Sequence, residues 1–436
     1  MSDYMFMLEN HLSPDQNRVV AEVQDAAADA GVNLFLTGGA MRDMLGGFPI
    51  RDLDFTVEGN ALKVVKTLTT KGSAKLISTD EDRKKAELRF PGGVTAEVAM
   101  ARHETYGKPG ARPKVQPASI HEDLRGRDFT MNAIALSLNR ASRGLLLDPN
   151  NGSADIERKE LRAISSYSFY DDPPRLLRLI RFKIRLGFAI DERTQLQYAN
   201  AREAGMEAYI PPQALLAELW HIADEPDAGE LVRALDEQKL LALFSPALVG
   251  PKLNLAGLSK LHKAKQMIPF GLDLHLDNRG LVLWFLAEKL TAKEKAALIQ
   301  TTTMQRADVD FWQKLDQRAK KLEKELKSAR LHKASQVYQV LSKAPGDQIL
   351  FLYICSAQRL VQDRIRNFLQ KYALTAMEVT DREVAATGVT PGTAKFLKAK
   401  EEMIAGRVDG RIKKAPPPEP LPPPVPTGPQ RGPRGR

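Results

Sequence analysis

Two aspartates one residue apart are the first candidates for chemistry in this chain. Asp52 and Asp54 lie in "FPIRDLDFTV" (48–57), whose β-branched and aromatic residues predict a strand. Alternate residues of a strand point to one face, so the two carboxylates project together, while Leu53 and Phe55 project to the other face. One interpretation is a half-buried strand with an acidic polar face. The other is a divalent metal site, because Mg²⁺ prefers carboxylate oxygens.

A glycine pair precedes these aspartates at a predicted junction between a strand and a helix. "NLFLT" (33–37) predicts the strand, and Gly38 and Gly39 follow it directly. Glycines let backbone N–H groups approach a phosphate closely, and a helix N-terminus adds partial positive charge. Arg42, about one turn further on, is placed to pair with the same phosphate. A tight structural turn would also explain the two glycines.

A third carboxylate is predicted on a neighbouring strand. In "VTAEVAM" (94–100), Val94, Ala96 and Val98 alternate on one face and leave Glu97 on the other. A lone acid on a polar face is usually solvated. Three carboxylates meeting from two strands would instead form an oxygen-rich site for Mg²⁺. Two such ions can hold the attacking 3′-hydroxyl and the pyrophosphate leaving group in an in-line displacement, which is nucleotidyl transfer.

Composition restricts the classes of protein that fit this chain. The 436 residues contain 64 Lys and Arg against 54 Asp and Glu, and the net charge of +10 favours polyanionic partners. Aromatic residues make up only 6%, so phosphate contacts are expected to matter more than base stacking. No apolar run approaches the roughly 20 residues of a membrane span, and the acidic N-terminus is unlike a signal peptide. With a single cysteine, Cys355, these features predict a cytoplasmic protein with no membrane contact.

The secondary-structure signals change near residue 150. Before it, a helical segment (17–30) ends at Gly31, and "AKLIST", "KAELRF" and "VTAEVAM" add strand candidates, so this part is α+β. After it, helical segments such as "PQALLAELWHIA" dominate. Residues 413–436 are too rich in proline and too poor in apolar residues for a packed fold. We interpret them as a basic disordered tail, with a role in gripping nucleic acid as the alternative.

Four motifs reveal a family resemblance. "GGAMRDMLGGFPIRDLDFTVEGNA", "HEDLRGRDFTMNAIAL", "LLLDPNNGSADIERKELR" and "DDPPRLLRLIRFKIRLGF" occur in the order and approximate spacing of the class II CCA-adding enzyme and bacterial poly(A) polymerase superfamily. The resemblance implies an α+β fold with a nucleotidyltransferase-like catalytic head that carries a small β-sheet, followed by an all-helical neck, body and tail. The implied domains are a catalytic head (1–147), a helical neck with the base-reading motif (148–207), a tRNA-binding body and tail (208–412) and the disordered segment (413–436).

The resemblance also implies roles for individual residues. It makes Asp52 and Asp54 the metal-binding carboxylates and places Glu97 near the active site. It places the phosphates and ribose of the incoming nucleotide at Gly38, Gly39, Arg42, Arg127, Asp128 and Asn132. For the segment "RDFTMNAIAL" a capped helix, with Asp128 or Thr130 as the cap, is an interpretation that can hold at the same time.

The resemblance assigns recognition of the incoming base to Asp172 and Arg175. Cytosine and adenine place an amino donor beside a ring-nitrogen acceptor, whereas uracil and guanine place a carbonyl beside a ring N–H. A carboxylate accepts from the amino group while a guanidinium donates to the ring nitrogen, so the pair favours C and A. Alternatively, Asp172 caps a helix that has Pro173 at its first position.

Arginines continue along the helix that follows. Arg178, Arg181 and Arg185 recur every three or four residues and therefore share one side of the helix. A solvated face is one interpretation. Beside a triphosphate site, they would instead hold phosphates or order the base-reading pair.

The chain departs from the family pattern at two positions, and one loop bears on specificity. Gly126 stands where the family usually has an arginine, and Asp171 where it has a glutamate. Residues 102–124 are rich in Gly and Pro, which predicts a mobile loop. This segment matches the family's flexible loop for switching from C to A addition, which argues against an enzyme that adds C alone.

The resemblance implies an enzyme that adds CCA to tRNA 3′ ends from CTP and ATP, with Mg²⁺ as cofactor and pyrophosphate as product. The alternatives are a poly(A) polymerase that uses only ATP, and a CC-only or A-only tRNA enzyme. From another class comes a non-catalytic RNA-binding protein that keeps the fold. The expected partners are the tRNA 3′ end and the two nucleotides, and no protein partner is implied.

Overall fold

The computed structural model describes residues 3–413, which form two compact units. The first comprises residues 3–263 with 277–315, and the second comprises residues 264–276 with 316–413. Every residue singled out above for chemistry lies in the first unit. The disordered tail predicted at 413–436 lies, apart from Lys413, outside the described residues. The domain boundaries predicted at residues 147, 207 and 412 stay predictions.

The strands lie mainly in the first 150 residues, as the sequence predicts. They are β1 (Asn33–Thr37), β2 (Leu53–Glu58), β3 (Lys75–Asp80), β4 (Lys85–Arg89), β5 (Thr95–Met100), β6 (Arg102–Thr105), β7 (Lys114–Pro117), β8 (Ala135–Ser137), β9 (Leu146–Leu147), β10 (Glu160–Leu161) and β11 (Ala189–Ile190). The main sheet has the order β3-β4-β5-β2-β1-β8-β9. Within it, β2 runs parallel to β5 and antiparallel to β1.

The helices of the first unit occur before, between and after the strands along the chain. They are α1 (Asp3–His11), α2 (Pro14–Ala30), α3 (Gly38–Leu45), α4 (Ala61–Thr70), α5 (Ile120–Gly126), α6 (Gly152–Arg158), α7 (Ser168–Asp171), α8 (Arg175–Leu186), α9 (Glu192–Glu203), α10 (Pro212–Asp224), α11 (Ala228–Glu237), α13 (Asn278–Ala287), α14 (Ala292–Thr302) and α15 (Arg306–Gln313).

The second unit is helical in its described part. Its helices are α17 (Ala334–Leu341), α18 (Gly346–Cys355), α19 (Arg359–Asn367), α20 (Ala373–Met377), α21 (Asp381–Ala385) and α22 (Ala394–Val408), and a π-helical turn (Phe368–Tyr372) joins α19 to α20. The chain passes from one unit to the other inside α12 (Leu255–Gln266), between Leu276 and Asp277, and inside α16 (Leu315–Leu326). Among residues 3–413, none of the helices is both long and apolar enough to cross a bilayer.

Local sequence signals explain why α2 and β1 form where they do. Ser13 caps α2 in a capping box with Gln16. The helix ends at Gly31, whose φ of 67° is the left-handed conformation that a glycine adopts without steric cost. Three residues later the buried residues of β1 begin.

One apolar core holds α8, which begins at Arg175 of the predicted base-reading pair, against the main sheet. It contains Leu53 and Phe55 of β2 together with Leu176 and Phe182 of α8. Phe182 also packs edge-on against Phe129, with ring centroids 5.8 Å apart. Burial of these side chains therefore fixes α8 relative to the strand that carries the two aspartates.

Two local predictions are wrong. The segment predicted as a mobile loop (102–124) contains an antiparallel hairpin of β6 and β7, followed by α5. The segment "RDFTMNAIAL" is not a capped helix, because it forms a single 3₁₀ turn (Thr130–Asn132) that leads into β8. In the first case β6 and β7 pair with each other inside the segment, and in the second β8 pairs with β1; this strand pairing overrides the local signal.

Candidate active site

One cavity of about 490 Å³ gathers all the residues predicted for the site. Its lining includes Gly38, Gly39, Arg42, Asp52, Asp54, Glu97, Arg127, Asp128, Asn132, Asp172, Arg175, Arg178 and Arg181. These residues come from β2, β5, α3, α8 and the segment before β8. The cavity therefore brings together in space what the sequence spreads over 144 positions, from residue 38 to residue 181.

The two aspartates lie on one face of the chain at β2, as their spacing predicts. Leu53 and Phe55 are buried in the core, while Asp52 and Asp54 face the cavity. The Thr95 hydroxyl donates a hydrogen bond to Asp52 Oδ1 at 2.9 Å and orients that carboxylate.

Gly38 and Gly39 bring the first turn of α3 against Asp54. Gly38 has a φ of +63°, and a Cβ there would lie 3.0 Å from Asp54 Oδ2 and 3.2 Å from Arg127 Nη1. The Gly39 N–H donates to Asp54 Oδ2 at 3.1 Å. The turn therefore requires a glycine for both its conformation and its space, so the structural interpretation of the pair holds alongside the phosphate-binding one.

Negative charge is crowded around Asp54. Burial raises the pKa of Asp54 to about 6, and the neighbouring Glu97 adds to the rise, while the Gly39 N–H opposes it. Glu97 lies opposite Asp54 in the parallel β2–β5 register and pairs with Lys85 at 2.6 Å. A cation beside Asp54 would relieve this charge.

The residues present fit a divalent cation held by Asp52 and Asp54. Among residues 3–413 there is no group of three or more His, Cys, Asp or Glu side chains that could hold a metal ion. Glu97, engaged by Lys85, is a neighbour and not a ready third ligand, so the expected three-carboxylate site is reduced to a pair. Mg²⁺ is usually bound by one or two carboxylates together with substrate phosphates, which suits such a pair.

We expect Asp54→Asn to stabilise the protein at pH 7 when divalent cations are absent. Because the pKa of Asp54 is raised from 3.8 to about 6, the folded state binds this proton more tightly than the unfolded state. Stability therefore falls as the pH rises through this window and stays lower above it. The substitution should restore up to about 3 kcal/mol of unfolding free energy at pH 7. Thermal unfolding in EDTA between pH 4 and 7 measures this.

Asp52→Asn is the matched control, because it removes the same charge from an exposed carboxylate two residues away. It should change the unfolding free energy by about 0.5 kcal/mol or less. If Asp54→Asn were less stable than the wild type at pH 7, the crowded-charge interpretation would be wrong.

A chain of contacts connects the turn at Gly38 and Gly39 to α8. Arg42 Nη1 donates to Asn132 Oδ1 at 2.9 Å, and Asn132 Nδ2 donates to Asp128 Oδ1 at 3.1 Å. Asp128 in turn pairs with Arg178 of α8 at 2.6 Å. Burial would raise the pKa of Asp128, but Arg178 and then Arg175 hold it below its usual value. The carboxylate is therefore ionised at neutral pH and keeps this network together.

Arg127 lies at the junction of β2 and the segment before β8. Its guanidinium donates to the Asp123 carboxylate at 3.0 Å, the Thr56 hydroxyl at 3.1 Å and the Asn132 carbonyl at 3.2 Å. Beside it, a Cβ on Gly126 would meet nothing within 4 Å. Lack of space around the Cβ is therefore not the reason that this chain has glycine where the family usually has an arginine.

The predicted base-reading pair is preformed. Arg175 Nε donates to Asp172 Oδ2 at 3.1 Å, and Nη1 donates to the Ser168 hydroxyl at 2.8 Å. The guanidinium also donates to the backbone carbonyls of Gly126 at 3.3 Å and Arg127 at 3.4 Å. Asp172 keeps 27% of its side chain exposed against 9% for Arg175, so the carboxylate remains open to a ligand while the arginine is held in place.

The alternative in which Asp172 caps a helix at Pro173 is wrong. α8 begins at Arg175, and the residue at its N-cap is Pro174, with no side-chain capping bond. Asp172 accepts from the arginine side chain instead. The adjacent Asp171, whose pKa is raised by burial, does not line the cavity.

Arg181 and Arg185 are not a solvated face of α8. Arg181 donates to both oxygens of Glu218 on α10, at 3.0 and 3.2 Å, and the pair is buried. Arg185 lies 3.3 Å from the Asp43 carboxylate, and burial together with Arg42 lowers its pKa to about 10. Both guanidiniums are thus held by acids, which favours their role in ordering α8 over free phosphate binding.

The hairpin supplies cavity residues that sequence reasoning missed. Glu104 accepts hydrogen bonds from Arg102 and Tyr106, each at 2.7 Å, and Arg83 approaches it at 3.5 Å. Burial raises the pKa of the Tyr106 hydroxyl, and the nearby Asp172 raises it further. The hairpin segment therefore lies within electrostatic reach of Asp172, a proximity that no local signal in its Gly- and Pro-rich sequence indicates.

Other missed residues come from elements far apart in the chain. Lys85 on β4 and His221 on α10 line the cavity, and no motif surrounds either residue. Burial lowers the pKa of His221 to about 4, so its imidazole is neutral at pH 7. Only tertiary packing could have revealed these two positions.

The part of the chain that carries the sheet matches a known domain family. Residues 34–162 match the poly A polymerase head domain. This range contains the glycine turn, both aspartates and the "RDFT" segment, and it ends before the base-reading pair.

Three relatives are named for related activities. An A-adding tRNA nucleotidyltransferase from Aquifex aeolicus is 29% identical over 341 residues, which are 77% of this chain and 40% of that protein. A CC-adding tRNA nucleotidyltransferase from Deinococcus radiodurans is 34% identical over 234 residues, 51% of this chain and 61% of that protein. A multifunctional CCA protein from Methylococcus capsulatus is 33% identical over 219 residues, 49% of this chain and 48% of that protein. The chain thus spans less than two thirds of each relative.

Solved structures share the fold. A tRNA nucleotidyltransferase complexed with a primer tRNA and an incoming ATP analog has a TM-score of 0.54 and 26% identity, covering 81% of this chain and 99% of that chain. A CCA-adding enzyme in an apo form has a TM-score of 0.56 and 24% identity, covering 95% and 96%. The predicted mixed α+β fold and the resemblance read from the four motifs are confirmed.

Proposed function

Residues 34–162 carry a poly A polymerase head domain in a chain whose relatives are tRNA nucleotidyltransferases, and on this basis we propose that the protein adds nucleotides to the 3′ end of tRNA. One observation carries the proposal: a single cavity joins a carboxylate pair, a glycine turn and an Asp–Arg pair that complements a base edge. The reaction forms a phosphodiester between the tRNA 3′-hydroxyl and the α-phosphate of a nucleoside triphosphate, and pyrophosphate leaves.

The carboxylate pair supplies the reaction centre. Asp52 and Asp54 would hold Mg²⁺, which when bound neutralises the charge on the attacking and leaving oxygens. The Thr95 hydroxyl and the Gly39 N–H orient these carboxylates before substrate arrives. Because the two carboxylates are already oriented, they need not reorient during the reaction.

Phosphate binding is assigned to the start of α3 and to Arg127. The N-terminus of a helix favours anions, and Gly38 leaves no side chain in the way. Arg127 keeps 22% of its side chain exposed, whereas Arg42 keeps only 5%. We therefore assign direct phosphate contact to Arg127 and give Arg42 the task of tying the glycine turn to Asn132.

The base is selected by Asp172 and Arg175 without a nucleic-acid template. The Asp172 carboxylate has further acceptor sites besides the one used by Arg175, and it can accept from the amino group of cytosine or adenine. Backbone carbonyls hold Arg175 in register beside it. Uracil and guanine would present a carbonyl to a carboxylate, which is repulsive.

We propose addition of both C and A, giving CCA. The base-reading pair suits either base, and Tyr106 of the hairpin segment lies close enough to Asp172 for that carboxylate to raise the pKa of its hydroxyl, after the larger effect of burial. A-only addition is the second candidate, because the A-adding relative from Aquifex aeolicus matches over 77% of this chain.

Extension of three tRNA transcripts distinguishes these products. The transcripts end immediately before CCA, after the first C, and after the second C, and each is incubated with Mg²⁺ and all four nucleoside triphosphates before sequencing. CCA addition predicts that all three end in CCA. Extension of the last transcript alone would show A-only addition, arrest after CC would show a CC-only enzyme, and long A ladders would show a poly(A) polymerase.

A non-catalytic RNA-binding protein is the alternative from another class. It would bind the transcripts and extend none of them. The crowded negative charge around Asp54 argues against it, because a binding module gains nothing from a destabilising buried carboxylate.

A further inference from the structure

A second cavity, of about 340 Å³, lies beside the active-site cavity in the first unit. Its walls include Trp220, Asp277, Arg279, Asp308, Phe311 and Trp312. Trp220 lines this cavity and the next residue of α10, His221, lines the active-site cavity. α10 is therefore a wall shared by the two.

The sheet provides a second link between the cavities. The negative charge of Glu87 on β4 interacts electrostatically with the guanidinium of Arg279 at the second cavity. Glu87 pairs across the sheet with Glu97, which lines the active-site cavity. The second cavity is thus within electrostatic reach of the strands that border the active-site cavity.

A planar cationic platform stands at this cavity. Arg279 Nε and Nη2 both donate to Asp224 Oδ2, at 3.0 and 2.8 Å, and the guanidinium carbon lies 5.6 Å from the centre of the Trp220 ring. The arginine side chain is nonetheless 53% exposed. One face of the guanidinium is backed by the indole while the group remains accessible, as a stacking surface requires.

The cavity walls also carry unmatched hydrogen-bonding groups. The Trp312 side chain is buried, and its indole N–H has no hydrogen-bond partner in the described part of the chain. The carboxylates of Asp277 and Asp308 add acceptors to the same walls. Aromatic and guanidinium planes bordered by carboxylate acceptors match the face and the amino-bearing edge of a nucleobase.

We infer that this cavity binds one unstacked nucleobase of the RNA substrate, close to its 3′ end. The inference rests on the proposed function, because it needs an RNA strand that enters the neighbouring active site. RNA-binding proteins take up splayed bases on aromatic rings and arginine planes, and such stacking does not depend on base pairing. A cavity at the lower end of the size range of ligand pockets suits a single base.

Three substitutions test this site in the full chain. Arg279→Ala removes the platform, and Arg279→Lys keeps the charge but loses the planar group. Both should raise the KM for the tRNA transcript about tenfold, and both should leave kcat and the KM for nucleotide within about twofold. Arg233→Ala, which removes an exposed arginine of α11 away from the cavity, is the matched control and should behave as wild type.

The fluorescence of a base analogue in the transcript is a measurement that would not change if Arg279 had only a structural role. 2-Aminopurine is placed at each unpaired 3′ position of the transcript in turn, and stacking should quench its fluorescence at one position with wild type. Arg279→Ala should reduce this quenching by at least half, while Arg233→Ala should not.

Three outcomes would overturn the inference. Wild-type KM in Arg279→Lys would mean that charge alone matters. Equal quenching in wild type and Arg279→Ala would mean that no base stacks there. Binding of free AMP at the cavity, seen as an Arg279-dependent change in tryptophan fluorescence while the KM for tRNA is unaffected, would assign the site to a free nucleotide. Failure of the proposed function is distinguishable, because wild type itself would then extend no transcript.

Discussion

Replacing Asp52 or Asp54 with asparagine lowers the rate of nucleotide incorporation by about 10³-fold and leaves the affinity for tRNA within about twofold, since charge stabilisation by a metal site is worth several kcal/mol. The physical reason is that an amide cannot supply the negative charge that holds a divalent cation between these two positions. Single-turnover incorporation measures the rate, and filter binding measures the affinity.

Glu97→Gln is the informative control for this loss. Glu97 is in register with Asp54 but is paired with Lys85, so its charge is already compensated. We expect a reduction of about tenfold or less, corresponding to about 1.4 kcal/mol. A parallel loss of tRNA binding and incorporation in the Asp52 and Asp54 variants would show that these acids are structural.

Asp172→Asn should erode the preference for C and A over U and G by about 10- to 100-fold, because a base-edge pair is worth roughly 1 to 3 kcal/mol. The asparagine amide carries donors, so it can meet the carbonyl of uracil or guanine that the carboxylate repels. The measurement is kcat/KM for each of the four nucleotides on a tRNA that lacks its last residues.

Asp171→Asn is the matched control, because Asp171 is the adjacent acid and does not line the cavity. It should leave the nucleotide preference unchanged within about twofold, as expected for a substitution outside the cavity. Unchanged preference in Asp172→Asn would remove this carboxylate from base recognition, whatever its effect on rate.

Local sequence signals predicted the elements that depend on local rules. The helix that ends at Gly31 and the strands β1 to β5 follow from capping, glycine conformation and side-chain alternation. Alternation also predicted which face of the chain carries Asp52 and Asp54. The strand order could not be predicted, because β5 pairs with β2 across a gap that contains β3 and β4.

Predictions failed where strand pairing decides the conformation. The hairpin of β6 and β7 forms although its sequence has the Gly and Pro density of a loop, and Glu104 within it pairs with Arg102 and lies near Arg83 on the preceding turn. The "RDFT" segment turns once and then joins the sheet as β8. In each case strand pairing, within the hairpin or between β8 and β1, outweighs local preference.

The candidate site also has a part that the sequence predicted and a part that it could not predict. All thirteen predicted residues line one cavity, because the motifs preserve the types of side chain that the chemistry needs. What the sequence could not show is which arginines remain accessible. Arg181 is engaged by Glu218, which lies 37 residues further along the chain, and Arg42 is held by Asn132. Accessibility is a property of the packed molecule, and it is the reason that we propose Arg127 for direct phosphate contact.

The central claim is that one cavity holds a cation on Asp52 and Asp54 while Asp172 and Arg175 read the base. Crystals grown with Mn²⁺ and a non-hydrolysable ATP analogue test it through anomalous scattering. The account predicts an anomalous peak between the carboxylates of Asp52 and Asp54, with the adenine edge against Asp172 and Arg175. A peak elsewhere, or a base bound away from position 172, would contradict it.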